Sequence, residues 1–190
     1  MMFPQSVATH MQSQAEAPDE KLIALIQDGE SQSFAILVER YRAKSLRVAY
    51  GILHNRADAE DAVQEAFIRI YRNIGRFRDI SRFKSWLYKV VINESLRLLK
   101  ARRTGPDEMD AEYAPACEDV DAEQVMLVRQ CLAALPKKLR VVLALRGVDE
   151  LDYAEIALIL SIPVGTVRSR LHEARRIFAG HWKGMMQDEM

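Results

Sequence analysis

The sequence predicts an all-α protein built from two small helical bundles that are joined by a flexible acidic linker. Of its 190 residues 49% are hydrophobic, and only 8 are glycine and 6 proline. A β-rich fold needs more of both residues at its turns. Apolar residues instead recur at three-and-four spacing, which is typical of helices with one buried face. Composition and periodicity therefore agree on a helical chain.

Local composition and helix signals divide the chain into five predicted segments. These are a disordered extension (residues 1–18), a first bundle (19–103), the linker (104–121), a second bundle (122–184) containing a helix-turn-helix, and a tail (185–190). Helix N-caps are expected at Asp58 and Ser81, and Asp152 with Glu155 forms a capping-box pair. Residues 1–20 lack the features of a secretory signal, and no segment is long enough to span a membrane. We therefore expect a soluble cytoplasmic protein.

Charges are strongly segregated along the chain although the formal net charge is zero. Residues 69–103 carry eleven lysines or arginines and two acids, whereas residues 104–128 carry eight acids and no base. The first block therefore predicts a polyanion as partner, and the second predicts a solvated or masking segment. Because the charges cancel and the acidic linker competes for the basic faces, we expect the free protein to bind DNA weakly.

A helix-turn-helix pattern occupies residues 152–178, which read DYAEIALILSIPVGTVRSRLHEARRIF. Three residues separate two helical patterns whose apolar positions face each other, as the motif requires. Arginines and small hydroxyls on the outer face of the second helix suit guanine edges and phosphates. The alternative is a helical hairpin whose basic face is merely solvated. The candidate DNA-binding residues of this helix are Gly165, Thr166, Arg168, Ser169, Arg170, His172, Arg175 and Arg176.

A second candidate nucleic-acid surface begins at the loop of residues 75–80. Phe77 lies between Arg76 and Arg78, so an aromatic ring can stack on a base while the cations hold the backbone. The alternative is that Phe77 packs into the core, and Trp86 is expected to be a core residue. The helix that follows presents further cations to a duplex. The candidate residues are Arg76, Phe77, Arg78, Ser81, Lys84, Lys89, Asn93, Arg97, Lys100, Arg102 and Arg103.

Catalytic and metal-binding patterns are missing from the sequence. Cys117 and Cys131 lie 14 residues apart, and the four histidines are scattered, which does not match the spacing of a zinc site. Ordinary reduced thiols are the expected state of both cysteines, with a redox-sensing pair as the alternative. No nucleophile, metal cluster or phosphate loop stands out. We therefore predict a protein that is not an enzyme and needs neither a cofactor nor a metal.

Three motifs resemble the extracytoplasmic-function group of bacterial sigma factors. They are AEDAVQEAF at residues 59–67, FKSWLY at 83–88 and VGTVRSRL at 164–171, in the family's order and separation. The likeness covers residues 19 to 180. It implies that the first bundle reads the −10 promoter element and opens the duplex, and that the second reads the −35 element. Ser161 departs from the frequent glycine of the turn, so it is expected to adopt a left-handed backbone.

The resemblance also implies partners. A helix near the end of the first third of the chain resembles the family's docking surface for the clamp of the largest subunit of core RNA polymerase, and such factors are commonly held by an anti-sigma protein. From the residues alone, the acids at the start of this helix could instead stabilise it by balancing the partial positive charge of its N-terminus. A stand-alone helix-turn-helix regulator, dimeric on a palindrome, remains the alternative function. The candidate docking residues are Asp58, Glu60, Asp61, Gln64, Glu65 and Phe67.

Overall fold

The computed structural model describes residues 16–102, 122–148 and 151–188, and within these ranges all regular secondary structure is helical. The predicted all-α class is thus confirmed. A single 3-10 turn, Ile80–Arg82, precedes the fourth helix. The α-helices are α1 (Asp19–Gln27), α2 (Ser33–Leu53), α3 (Arg56–Ile74), α4 (Phe83–Arg102), α5 (Ala122–Ala133), α6 (Lys137–Arg146), α7 (Tyr153–Leu160) and α8 (Val164–Asp188). No described helix is both long and apolar enough to cross a bilayer.

The first bundle consists of α1 to α4, with α2, α3 and α4 packed against one another. Leu37, Ile70 and Tyr88 are completely or almost completely buried between them. Each such side chain contributes about 1.5–3 kcal/mol through burial, so this core is the main source of the bundle's stability. Packing begins before the predicted boundary at residue 18, because Ala17 is buried and its carbonyl accepts a 2.7 Å hydrogen bond from Arg40.

Two predicted helix caps are wrong, and one is confirmed. The side chain of Asn55, not Asp58, caps α3, and its Oδ1 accepts a 2.9 Å hydrogen bond from the backbone N–H of Asp58. Ser81 lies in the 3-10 turn and donates its hydroxyl to Asp79 at 2.8 Å, so α4 begins without it. The capping box of Asp152 and Glu155 forms as predicted, with both bonds at 2.8 Å.

The second bundle consists of α5 to α8, and α7 and α8 form the predicted helix-turn-helix. Ser161 adopts the expected left-handed conformation in the turn, with φ of 54°. The last helix continues to Asp188, so residues 185–188 belong to α8 rather than to a tail. Cys131 is buried with its Sγ atom 3.8 Å from the sulfur of Met185, and burial raises the pKa of its thiol. The linker, Cys117 and Arg103 lie outside the described residues.

The two bundles also pack against each other, which nothing in the sequence indicates. Helix α2 of the first bundle crosses α6 of the second at Gly51. A Cβ atom added to Gly51 would lie only 2.9 Å from the Cβ of Ala144. Buried residues of both bundles, from Leu22 to Leu171, form one continuous apolar cluster. The closest approach of the two helices therefore depends on two small residues that are 93 positions apart.

Arg140 of α6 bridges the ends of helices from both bundles. One guanidinium nitrogen donates to the carbonyl of Ile52, near the C-terminus of α2, at 3.0 Å. The other donates to the carbonyls of Ala133 at 2.6 Å and Leu135 at 3.2 Å, at the end of α5. The last carbonyls of a helix lack intrahelical partners and carry partial negative charge. A single cation therefore satisfies two helix ends at once.

His54 follows α2 beside this arginine and is 4% exposed, with φ of 55°. Burial lowers the pKa of its imidazole to about 4, and the positive charges of Arg140 and Arg129 act in the same direction. The Leu132 carbonyl partly offsets these effects. Burial is the main reason that the ring is neutral, and the two arginines of the second bundle add to it through the packing between bundles.

We expect the protein to lose stability in mild acid through His54. The ring binds a proton with an ordinary pKa of about 6.5 when unfolded but about 4 when folded, so the unfolded state takes up the proton first. The stabilising contribution of the neutral His54 ring is therefore complete above pH 6.5 and is lost as the pH falls towards 4. Between pH 8 and pH 5 the loss from this group is about 2 kcal/mol.

Urea denaturation of the wild type and of His54→Asn across this pH range measures the effect. Asparagine also tolerates the left-handed backbone but does not titrate, so it is the matched control. Parallel pH profiles for the two proteins would contradict the assignment.

Candidate nucleic-acid interface

The first part of α8 presents a basic face to solvent. Val167, Leu171 and Ala174 are buried, which fixes the rotation of the helix against its own bundle. Arg168, Ser169, His172, Arg175 and Arg176 consequently point outward and are exposed. Thr166 is half-buried, and Gly165 is exposed with open space where its side chain would be. The N-terminus of α8 is thus accessible to a phosphate group.

Two arginines of the predicted set are engaged elsewhere. Arg176 makes a two-pronged ion pair with Glu173, at 2.7 and 3.0 Å, and this contact lowers the pKa of the Glu173 carboxyl. Arg170 is half-buried and lines a groove between the bundles. Arg168 and Arg175 are exposed and have no such contact among the described interactions, and His172 lies one turn along the same stripe.

In the loop before α4, Phe77 packs on Trp86 with ring centroids 4.4 Å apart and planes inclined by 14°. Its backbone carbonyl also accepts a 2.8 Å hydrogen bond from Gln27. The aromatic residue is thus held by its own bundle, which was the alternative open from the sequence. Arg76 and Arg78 remain exposed, and with Gln27 and Ile80 they line a cavity of about 500 Å³. The loop offers a cavity with a basic rim and an aromatic wall.

Several cations of α4 already have partners within the chain. Lys84 pairs with Glu155 of α7 at 2.9 Å, and Lys89 donates to the Ser161 hydroxyl at 3.3 Å. Arg97 pairs at 2.8 Å with Glu94, a buried acid that also binds Arg69. Asn93 and Lys100 are exposed. The side chain of Arg102 lies outside the described part of the structure.

A large apolar groove, which the sequence did not predict as a groove, separates α2 from α3. Its volume is about 1140 Å³. Phe34 packs edge-on against Phe67, with centroids 6.4 Å apart, and tilted against Tyr71, with centroids 5.0 Å apart. Tyr71 is 49% exposed although it is a large aromatic residue. The spacing of Phe67 and Tyr71, four residues apart on a helix, is the sequence signal for this surface.

The predicted docking residues lie in or beside this groove. Phe67 forms part of its floor and is 7% exposed, while Glu60 and Gln64 line its side. Asp61 and Gln64 are exposed, and Asp58 is half-buried in the first turn of α3. Glu60 and Glu65 pair with arginines of their own helix at 2.9 and 3.3 Å. Of these acids only Glu60 lines the groove, together with Glu39, Arg42 and Arg72, and the other acids lie elsewhere on α3.

The fold and these surfaces define a class of protein: a two-bundle, helix-turn-helix DNA-binding protein with a separate apolar groove. Among the described residues, no group of His, Cys, Asp or Glu is arranged to hold a metal. The profile of sigma-70 region 2 matches residues 37–104, and that of sigma-70 region 4 matches residues 126–177. The chain belongs to the sigma-70 family, in its extracytoplasmic-function group, and acts as a promoter-recognising initiation factor of RNA polymerase.

Relatives with curated names cover most of the chain. The RNA polymerase sigma-H factor of Pseudomonas aeruginosa is 38% identical over 83% of this chain and 90% of its own length. SigW of Bacillus subtilis, an ECF RNA polymerase sigma factor, is 36% identical over 82% of this chain and 92% of its own. The ECF RNA polymerase sigma-E factor of Escherichia coli K12 is 37% identical over 83% of this chain and 90% of its own length.

Two solved structures share the fold. CnrH, determined in complex with the cytosolic domain of CnrY, superposes with a TM-score of 0.69 and 22% identity, covering 87% of this chain and 97% of CnrH. RpoE of Bartonella quintana, determined with the anti-sigma factor NepR, gives a TM-score of 0.62 and 22% identity. The match covers 77% of this chain and 96% of RpoE. These neighbours confirm the arrangement of helices.

We expect Ser161→Gly to be more stable than Ser161→Ala by about 1 kcal/mol, because glycine adopts the left-handed conformation without steric cost. Both variants lose the hydroxyl that accepts from Lys89, so the comparison isolates the backbone. Chemical denaturation monitored by circular dichroism measures the difference. Equal stability of the two variants would show that the turn is unstrained.

Proposed function

We propose that this chain directs core RNA polymerase to promoters by dividing three tasks among three surfaces. The groove between α2 and α3 binds polymerase, the loop before α4 with α4 itself reads the −10 element, and the basic face of α8 reads the −35 element. The observation that carries the proposal is the separation of an apolar groove, with exposed acids on α3 beside it, from two basic surfaces on the same small chain. The action is non-catalytic and takes place in the cytoplasm.

The groove suits an amphipathic helix of the polymerase clamp. Its aromatic floor, formed with Phe34 and Phe67, offers pockets for apolar side chains, as grooves that bind helices do. Gln64 lines the groove and is exposed, and Asp61 is exposed on the preceding turn of α3. Exposed acids beside the groove repel DNA and attract a basic protein surface. The groove is therefore assigned to protein rather than to promoter.

Capture of an unpaired base in the loop favours melting of the −10 element. Stacking on an aromatic ring contributes roughly 1–3 kcal/mol per base, which is enough to bias an already strained duplex. Phe77 is already stacked on Trp86, so a base enters beside this pair, in the cavity rimmed by Arg76 and Arg78. The basic rim holds the backbone of the displaced strand.

An anti-sigma protein is a further proposed partner. Both structural neighbours were solved in complexes, CnrH with the cytosolic domain of CnrY and RpoE with the anti-sigma factor NepR. The same arrangement of helices in this chain supports regulation by a protein that covers its surfaces. Promoter-specific transcription in vitro with purified core polymerase and a promoter library tests the function as a whole. Absence of transcripts that depend on this chain would refute it, and a symmetric dimer on inverted half-sites would favour a stand-alone regulator.

Replacement of Asp61 by lysine is expected to weaken binding to core polymerase at least about tenfold, because it puts a like charge against a basic partner. Asp28→Lys makes the same change at another exposed aspartate, which follows α1 and is not among the residues that line the groove, and is the matched control. Fluorescence anisotropy with labelled core polymerase in the absence of DNA measures both. Equal affinities of the two variants would place the docking surface elsewhere.

Among the arginines of α8, loss of Arg168 or Arg175 is expected to reduce −35-dependent transcription about tenfold or more, the value of one good base contact. Arg176→Ala is the matched control, because its side chain is already paired with Glu173 and loses less. Transcription from a promoter is compared with transcription from the same promoter carrying a scrambled −35 element. If Arg176→Ala is as damaging as the others, the ion pair does not persist on DNA.

A further inference from the structure

An acidic side chain is buried in the first bundle at the edge of its basic surface. The carboxylate of Glu94 on α4 is 2% exposed, and it forms ion pairs with Arg69 of α3 at 2.9 Å and with Arg97 of α4 at 2.8 Å. The two arginine side chains are 49% and 55% exposed. A single buried acid therefore holds two surface cations that belong to two different helices.

Packing alone does not account for an acid at this position. Removing a carboxylate from water is costly, and replacing a buried ion pair by apolar side chains of similar volume is often neutral or stabilising. The neighbouring residues Val91 and Ile92 are buried, so this stretch of α4 already contributes apolar side chains to the core. What distinguishes Glu94 from an apolar residue at the same position is its hold on the two arginines.

The ion pairs of Glu94 lie beside a cavity of about 390 Å³ between α3 and α4. Asn93 and Glu94 line this cavity from α4, and Arg69 and Arg76 line it from α3 and the loop. Arg97 lies one turn beyond Asn93 on the same face of α4. The cluster around Glu94 therefore joins Arg69 to three residues that are already assigned to the −10 surface.

Both arginines keep hydrogen-bond donors for a further partner. The hydrogen bonds described for them are donated by the Nε atoms, from Arg69 to Glu65 at 3.3 Å and from Arg97 to Glu94 at 2.8 Å. The contact of Arg69 with Glu65 is an exposed pair within one helix, which contributes little to stability. Guanidinium groups present their remaining donors in a planar fork that suits phosphate oxygens. A guanidinium that is already held also loses less conformational freedom when it binds.

We propose that Glu94 is a positioning residue of the −10 surface, which fixes Arg69 and Arg97 as a pair of phosphate-binding groups for the displaced strand. Arg69 is thereby a further residue that contacts promoter DNA. The proposal rests on the proposed function, because it takes α4 and the loop before it as the −10 surface. Phosphate contacts fix the register of a strand without reading its sequence. The pair therefore holds the unpaired strand while the loop captures a base.

Transcription from two forms of one promoter separates positioning from stability. One template is fully duplex, and the other has its −10 element opened by mismatches, so that strand capture does not compete with base pairing. With core polymerase, Glu94→Gln is expected to lower transcription from the duplex about tenfold, the value of one charge-assisted hydrogen bond, and from the opened template less than about twofold. The variant also gains one positive charge, so general attraction to DNA would change transcription in the opposite direction.

Glu173→Gln is the matched control, because it neutralises another acid that pairs with an arginine, on α8 instead of α4. It is expected to leave the ratio of transcription from the two templates unchanged. Circular dichroism shows whether Glu94→Gln is folded. In the folded variant, equal losses on both templates, or no loss on either, would overturn the proposal.

Arg69→Ala tests the same idea at an exposed position, and it keeps the test available if the change at Glu94 prevents folding. It is expected to lower transcription from the duplex template selectively. Because Glu94 acts through Arg69, the loss in the double variant is expected to be smaller than the product of the two single losses. A loss equal to that product, or no selective loss in Arg69→Ala, would contradict the proposal. If the wild-type chain transcribes neither template with core polymerase, the proposed function itself fails, which is a distinguishable result.

Discussion

The packing of the two bundles depends on the hydrogen bonds that the guanidinium of Arg140 donates. It reaches the carbonyl of Ile52 at the end of α2 and those of Ala133 and Leu135 at the end of α5. Buried carbonyls without partners are costly, so a cation that serves two helix ends also fixes their separation. His54 is kept neutral beside it, and α2 can then approach α6 closely enough for Gly51 to touch Ala144.

Three surfaces with different chemistry are arranged around this frame. The groove at Phe67 is apolar and carries charges of both signs at its edge, whereas the loop at Arg76 and the outer face of α8 are basic. This difference in chemistry limits binding of the wrong partner to each surface. Between the bundles, Lys84 of α4 pairs with Glu155 of α7.

Local features could be predicted from the sequence because their causes lie within a few residues. The capping box at Asp152, the left-handed Ser161 and the orientation of Arg168 all follow from the pattern of one motif. The predicted cap of α3 is wrong because Asn55 and Asp58 are both good capping residues, and only the backbone conformation distinguishes them. The contact of Gly51 with Ala144 could not be predicted, because a small residue on a helix gives no periodic signal and its partner is remote in sequence.

Glu94 has a consequence for the way in which this protein responds to its ionic environment. The buried carboxylate holds Arg69 and Arg97 together, so its single negative charge offsets part of the charge of two of the eleven cations in the basic block. Each phosphate contact to duplex DNA releases condensed counterions, and the logarithm of affinity falls by about 0.9 per contact for each decade of salt. The first bundle should therefore show a shallower salt dependence than its eleven cations imply, so its promoter recognition is better preserved as the cell's potassium concentration rises.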